Sequence, residues 1–179
     1  MKVRQPAMNT ILSALATSAF ATAASAGSFD SAYTTQNYQK CPIALNEPGA
    51  ITRHCTGYGG VRINWFGADD DAIVDFGRKG NTVEAEGLSF AAAKDTIEWR
   101  GPLRGKTIAP LAAIVRYSIC QTISGPCHDE LYVYRLNGRE SSCVMAVVDG
   151  RPADANVQAR RIADDFGAVF RCGRDKVKR

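Results

Sequence analysis

Six cysteines, at positions 41, 55, 120, 127, 143 and 172, limit what this chain can fold into more than any other feature of its sequence. All six follow a first segment with the pattern of a cleaved secretory leader. Lys2 and Arg4 give a basic start, a mostly apolar run extends from Met8 to Ala23, and Ala24-Ser25-Ala26 offers a small-x-small site before Gly27. An even cysteine count behind such a leader points to disulfides formed in an oxidising compartment. The expectation is a leader over 1–26 and one domain over 27–179, periplasmic or secreted once the leader is removed. Asn9, Thr10, Ser13, Thr17, Ser18 and Thr22 dilute the apolar run. A stable membrane anchor needs about 20 strongly apolar residues, so none is expected here.

Charge narrows the function classes. The whole chain carries a formal +4, and losing Lys2 and Arg4 with the leader leaves +2. A nucleic-acid binder would concentrate basic residues on one face, so no nucleic-acid partner is expected. The tail from Arg171 to Arg179 is the one basic cluster, and it reads as a solvated end.

Periodicity predicts strands followed by a helix. Val61, Ile63 and Trp65 alternate with polar residues, and residues 71–76 return beside them across Gly67-Ala68-Asp69-Asp70. Residues 96–100 alternate again, placing Ile97 and Trp99 on one face and Glu98 and Arg100 on the other. Residues 108–119 form a longer apolar run. Residues 131–136 and 142–149 flank Asn137-Gly138, which suits a type I′ hairpin turn. Residues 153–170 carry Ala155, Ala159, Ile162, Ala163, Phe166, Val169 and Phe170 at helical spacing, with Arg160, Arg161, Asp164 and Asp165 turned mostly to water. Together these predict an α+β fold: an antiparallel sheet with a C-terminal helix packed on one face, stapled by disulfides.

Sequence position narrows the cysteine pairings. Cys120 and Cys127 bracket a short loop and can meet across it. Cys143 on the last strand and Cys172 past the helix would clamp the helix to the sheet, which leaves Cys41 and Cys55 to close the N-terminal loop. His54-Cys55 and Cys127-His128 invite a metal reading, but the paired short spacings of zinc sites are missing, so neither metal nor cofactor is expected. Nor is there a Gly-x-Ser-x-Gly elbow or a C-x-x-C redox pair. Asp69-Asp70-Asp71 lacks the spacing of a calcium loop and reads as a polar turn. Gly57-Tyr58-Gly59-Gly60 resembles a phosphate cradle only in glycine content and reads as a turn into the next strand. If a binding surface exists, the exposed sheet face bearing Glu98 and Arg100, together with the hairpin face of Tyr132 and Tyr134, is the leading candidate.

Several stretches resemble a group of small exported proteins of Gram-negative bacteria that have no assigned function. They are residues 54–60, 97–100, 113–117, 143–149, 155–164 and 170–175, the last reading Phe-Arg-Cys-Gly-Arg-Asp. The resemblance covers most of the expected mature chain and implies export and one compact domain, with no activity to transfer. The group keeps counterparts of Cys41, Cys55, Cys143 and Cys172 but usually lacks the other two. This implies that Cys120 bonds Cys127 and that His54 is not required. The expected function is a non-enzymatic periplasmic domain that binds another envelope component, protein or glycan, as an inhibitor or accessory factor. The alternatives are a small hydrolase using His54 or His128 and a thiol-redox protein.

Overall fold

The long strands bury apolar residues on both faces. In the strand Ala112–Cys120, Ala113, Val115 and Tyr117 point to one side and Ala112 and Ile114 to the other, and all five are buried. A sheet of this kind must be covered twice. The computed structural model describes residues 28–79, 90–122 and 124–179; the leader expected over 1–26 lies outside them. Among the described residues the elements are β1 (Phe29–Thr35), β2 (Ile43–Glu47), β3 (Ala50–Thr56), β4 (Arg62–Ala68), β5 (Asp71–Phe76), β6 (Ala91–Arg104), β7 (Thr107–Ile108), β8 (Ala112–Cys120), β9 (Cys127–Asn137), β10 (Ser141–Asp149) and α1 (Ala155–Phe166). The strand order is β10-β9-β8-β6-β5-β4-β3-β2, with β1 and β7 also paired to β6.

The expected antiparallel α+β sheet is overturned. More than half of the described residues lie in strands, so the fold is mostly β, and the sheet is mixed because β5 and β6 run parallel at Ala72 and Ala92. A parallel neighbour needs a connection of roughly a dozen residues or more, and the stretch from Phe76 to Ala91 provides it. Alternation tells which face a residue takes. It says nothing about the direction of the strand alongside.

Past this parallel contact the sheet curls into a half-barrel. Beyond Ala72, β5 leaves β6, and side-chain hydroxyls take over from a missing ladder. The Val74 N–H donates to Tyr117 Oη at 3.0 Å and the Phe76 N–H to Ser142 Oγ at 3.0 Å. Past the end of β5 the backbone bonds to the β9–β10 turn: Arg78 N–H to Arg139 O at 3.0 Å and Lys79 N–H to Glu140 O at 2.7 Å. Gly77 makes this seam possible. Its φ is +102°, and a Cβ there would sit 2.5 Å from the Glu140 carbonyl carbon.

Inside the curl lie Ile63, Phe76, Ile97, Trp99, Val115, Tyr117, Tyr132 and Tyr134. Phe76 meets Trp99 and Tyr134 edge-on at centroid distances of 5.4 and 5.1 Å, and Tyr117 meets Tyr132 at 4.9 Å. The Tyr117 and Tyr134 hydroxyls are 2.9 Å apart. Burial disfavours their ionised forms, pushing Tyr117 up to about 12 and Tyr134 well above the usual tyrosine value.

On the opposite face α1 presents Ala155, Ala159 and Ala163 to Ala112, Ile114, Leu131, Val133, Met145 and Val148. A bulge between Val144 and Ala146 turns both Met145 and Ala146 toward the helix. The alanines let the helix lie close to the sheet. It is shorter than the predicted 153–170, and Val169, assigned to its apolar stripe, is exposed. The hairpin also differs in detail. Asn137 is the last residue of β9, paired with Ser141, and within the turn Gly138 has positive φ. The expected pairings of all three disulfides are present: Cys41–Cys55, Cys120–Cys127 and Cys143–Cys172, which links β10 to the segment after α1.

Candidate functional site

The four residues expected to line a binding surface lie on two different faces of the sheet, and neither pair is open to a partner. Tyr132 and Tyr134 point into the half-barrel and are buried. Glu98 and Arg100 occupy the other side of the sheet, but α1 covers them. Arg160 Nε donates to Glu98 Oε1 at 2.6 Å, and Arg100 donates through Nε and a terminal nitrogen to the two Asp164 oxygens at 2.7 Å each. Ser31 on β1 lies between the pairs, donating to Glu98 and accepting from Arg100 at 3.0 Å. Hydrogen bonding to Asp164 is the leading reason that the Arg100 pKa is raised.

The two pairs form because the repeats match. Residues i and i+4 of a helix are about 6 Å apart along the axis, and residues i and i+2 of a strand about 6.7 Å. Arg160 and Asp164 were expected in water because their positions flank the alanine stripe. Instead they reach sideways to β6, whereas Arg161 and Asp165 are exposed and only 3.8 Å apart.

The two histidines do not meet. His54 on β3 shares a cleft with Arg139 of the β9–β10 turn, whereas His128 stands at the far end of β9. The length of β9 between them is about 30 Å. His128 Nε2 lies 3.3 Å from Glu130, on the same strand. The two short motifs take their bland roles. Gly57-Tyr58-Gly59-Gly60 turns into β4, and Asp71 accepts a hydrogen bond from the Ala91 N–H at 2.9 Å. Among the described residues no group of histidines, cysteines and carboxylates is placed to hold a metal ion.

What the closure of the sheet does assemble is a cationic cleft of about 340 Å³ lined by His54, Cys55, Thr56, Gly60, Arg62, Arg78 and Arg139. Its residues come from β3, the turn before β4, β4 itself, the end of β5 and the β9–β10 turn. Backbone bonds hold these segments together: Gly77 N–H donates to Arg62 O at 2.9 Å and Arg78 N–H to Arg139 O. Asn64, next to His54 in register, donates to Asp75 and to Gly77 O at 2.9 Å, tying β4 to the same seam. The Arg139 guanidinium lies over Gly60, where a Cβ would be 3.4 Å from its central carbon.

Among the described residues the charges in this cleft are largely uncompensated. Arg78 is 3.4 Å from Glu140, both well exposed. Neither Arg62 nor Arg139 has an ion pair among the described residues. Partial burial, and then the field of Arg62, hold the His54 pKa below its usual value. Sequence reasoning missed the three arginines because they are far apart in the chain. The available signal was Arg62 on the polar face of an alternating strand and Arg139 beside a turn glycine. Neither hint says that the sheet closes and brings them together.

Compared with models of protein families, with characterised proteins and with solved structures, the chain matches none. Three disulfides belong to an oxidising compartment, and no helix among the described residues is long and apolar enough to cross a membrane.

Proposed function

We propose that this chain is an exported, non-enzymatic binding domain of the bacterial envelope and that it engages an acidic component of that envelope. The observation that supports the reading is the contrast between its charges. Those beneath α1 neutralise one another, whereas Arg62 and Arg139 have no ion pair among the described residues and stand at a cleft open to solvent. Converging guanidinium groups without counter-charges repel each other. Such an arrangement gains most when an anion arrives.

The test is retention of envelope extract, separated into protein and glycan fractions, on the immobilised domain. Wild type and an Arg62→Ala, Arg139→Ala variant are compared. A component held by the wild type and lost from the variant supports the reading. Retention of the same component by both would place binding elsewhere. Reproducible turnover of a substrate, abolished by His54→Ala, would replace the binding reading with a hydrolase.

A further inference from the structure

We propose, resting on the binding reading above, that the cleft recognises a phosphate monoester carried on a sugar. The charge count selects the anion. Among the described residues two of these arginines have no ion pair and a third is shared with Glu140, so the site offers about two positive charges to a ligand. A phosphate monoester carries about −1.5 to −2 at neutral pH, whereas a carboxylate carries one negative charge. The geometry of the donors agrees. Planar guanidinium forks can each present two parallel N–H groups to phosphate oxygens, and here they approach from separate walls: Arg62 from β4, Arg78 past β5 and Arg139 from the β9–β10 turn.

The size of the cleft then asks for more than the phosphate. Its 340 Å³ lies within the range of small-molecule sites, about 300–1,000 Å³. The remaining wall carries the Thr56 hydroxyl and the neutral-leaning His54 ring, which suit the hydroxyls of a sugar better than an apolar group. Gly60 keeps the floor low, allowing the Arg139 plane to lie flat across it.

Calorimetric titration of the full domain with inorganic phosphate, glucose 6-phosphate and glucuronic acid tests the assignment. Glucose 6-phosphate should bind at least tenfold tighter than glucuronic acid and tighter than phosphate alone. Arg62→Ala with Arg139→Ala should weaken it at least tenfold, and lysine at both positions should recover only part of the loss. Arg161→Ala, a change at an exposed helix arginine, should leave binding unchanged. Equal affinity for the two sugars, no binding of either, or binding indifferent to the double alanine change would overturn the phosphate assignment.

A second arm distinguishes the source. Binding of an envelope polysaccharide fraction that disappears after phosphatase treatment supports the assignment on a polymer; binding of the free sugar phosphate alone supports it for a soluble ligand. If the titrations are silent while extract is still retained through Arg62 and Arg139, the phosphate assignment falls and the binding reading stands. If retention fails as well, both fall.

Discussion

Two sets of arginines in this molecule meet opposite fates. Arg100 and Arg160 lie between β6 and α1, and each is matched to a carboxylate at 2.6–2.7 Å. Arg62 and Arg139 lie at the seam where the half-barrel closes, and neither is matched among the described residues. The first set fixes the position of the helix; the second leaves a charged opening. Partly buried pairs cannot lose one member cheaply, because the other is left desolvated without its counter-charge. Cations near one another with no counter-charge, one half-buried and one exposed here, resist the fold slightly or are neutral to it. The stability cost of removing each arginine is therefore a direct way to ask which residues serve the fold and which are available for a ligand.

The largest effect should come from the closure that creates the seam. Gly77→Ala places a Cβ against the Glu140 backbone and forces a positive φ on a residue that resists it. The expected loss is about 3–5 kcal/mol. Thermal unfolding followed by circular dichroism should show a midpoint lower by roughly 10 °C or more. An unaltered midpoint would mean that the seam is not part of the cooperative fold, and the arginine cleft would lose its foundation.

Next is the clamp on the helix. Cys143 and Cys172 are 29 residues apart in sequence, against 14 for Cys41–Cys55 and 7 for Cys120–Cys127. Loop-closure entropy gives about 3.5, 3 and 2.5 kcal/mol respectively. Paired serine substitutions should follow that order in denaturant unfolding. Loss of the Cys143–Cys172 bond should also loosen α1, seen as faster amide exchange over Ala155–Phe166. If that helix exchanges no faster, its ion pairs and alanine contacts hold it unaided.

Glu98→Gln should cost somewhat less, about 1–3 kcal/mol, because it leaves the Arg160 guanidinium with a weaker partner at a covered site. A double-mutant cycle with Arg160→Gln measures the pair itself. A coupling energy near zero would show that the contact under α1 is no different in kind from the exposed Arg161–Asp165 contact.

How much of this was legible in the sequence depends on the range of the interaction. Val61, Ile63, Trp65, Ile97 and Trp99 took their predicted side because alternation is a local property of a strand. The cysteine pairs followed from strand and helix order, with the Cys120–Cys127 bond also implied by the family resemblance. The sheet itself was misread because one parallel bridge, Ala72 to Ala92, depends on a long connection with no periodic signal. That error spread to the site. A flat sheet with its helix on the Trp99 face would leave Glu98 and Arg100 open and Arg62 and Arg139 apart; in the curled sheet the Trp99 face lies inside the half-barrel, α1 covers Glu98 and Arg100 from the other side, and the seam gathers Arg62 and Arg139. Arg160 and Asp164 were misplaced for a simpler reason. Their positions border the apolar stripe of α1, and whether a border residue meets water or a strand is decided by what the helix packs on.

The smallest predicted effect sharpens the comparison most. Arg62→Ala should change stability near neutral pH by no more than about 0.5 kcal/mol, since it removes a half-buried cation that has no ion pair among the described residues and stands among other cations. Its signature should appear in His54 instead. In the fold the His54 pKa lies below its usual value of about 6.5, through partial burial first and the Arg62 charge second. As pH falls through that value the unfolded chain takes up the proton before the folded one, so the folded state loses stability toward acid; above it, this contribution is fully present. Removing Arg62 takes away the second cause and leaves the first. The His54 pKa, followed by proton NMR of its ring, should rise part of the way toward 6.5, and the acid loss should shrink with it. A His54 titration unmoved by Arg62→Ala would mean that the arginine points away from the cleft. A stability loss as large as that of Glu98→Gln would mean that Arg62 serves the fold after all, and the division between helix face and seam would no longer separate structural charge from charge left for a ligand.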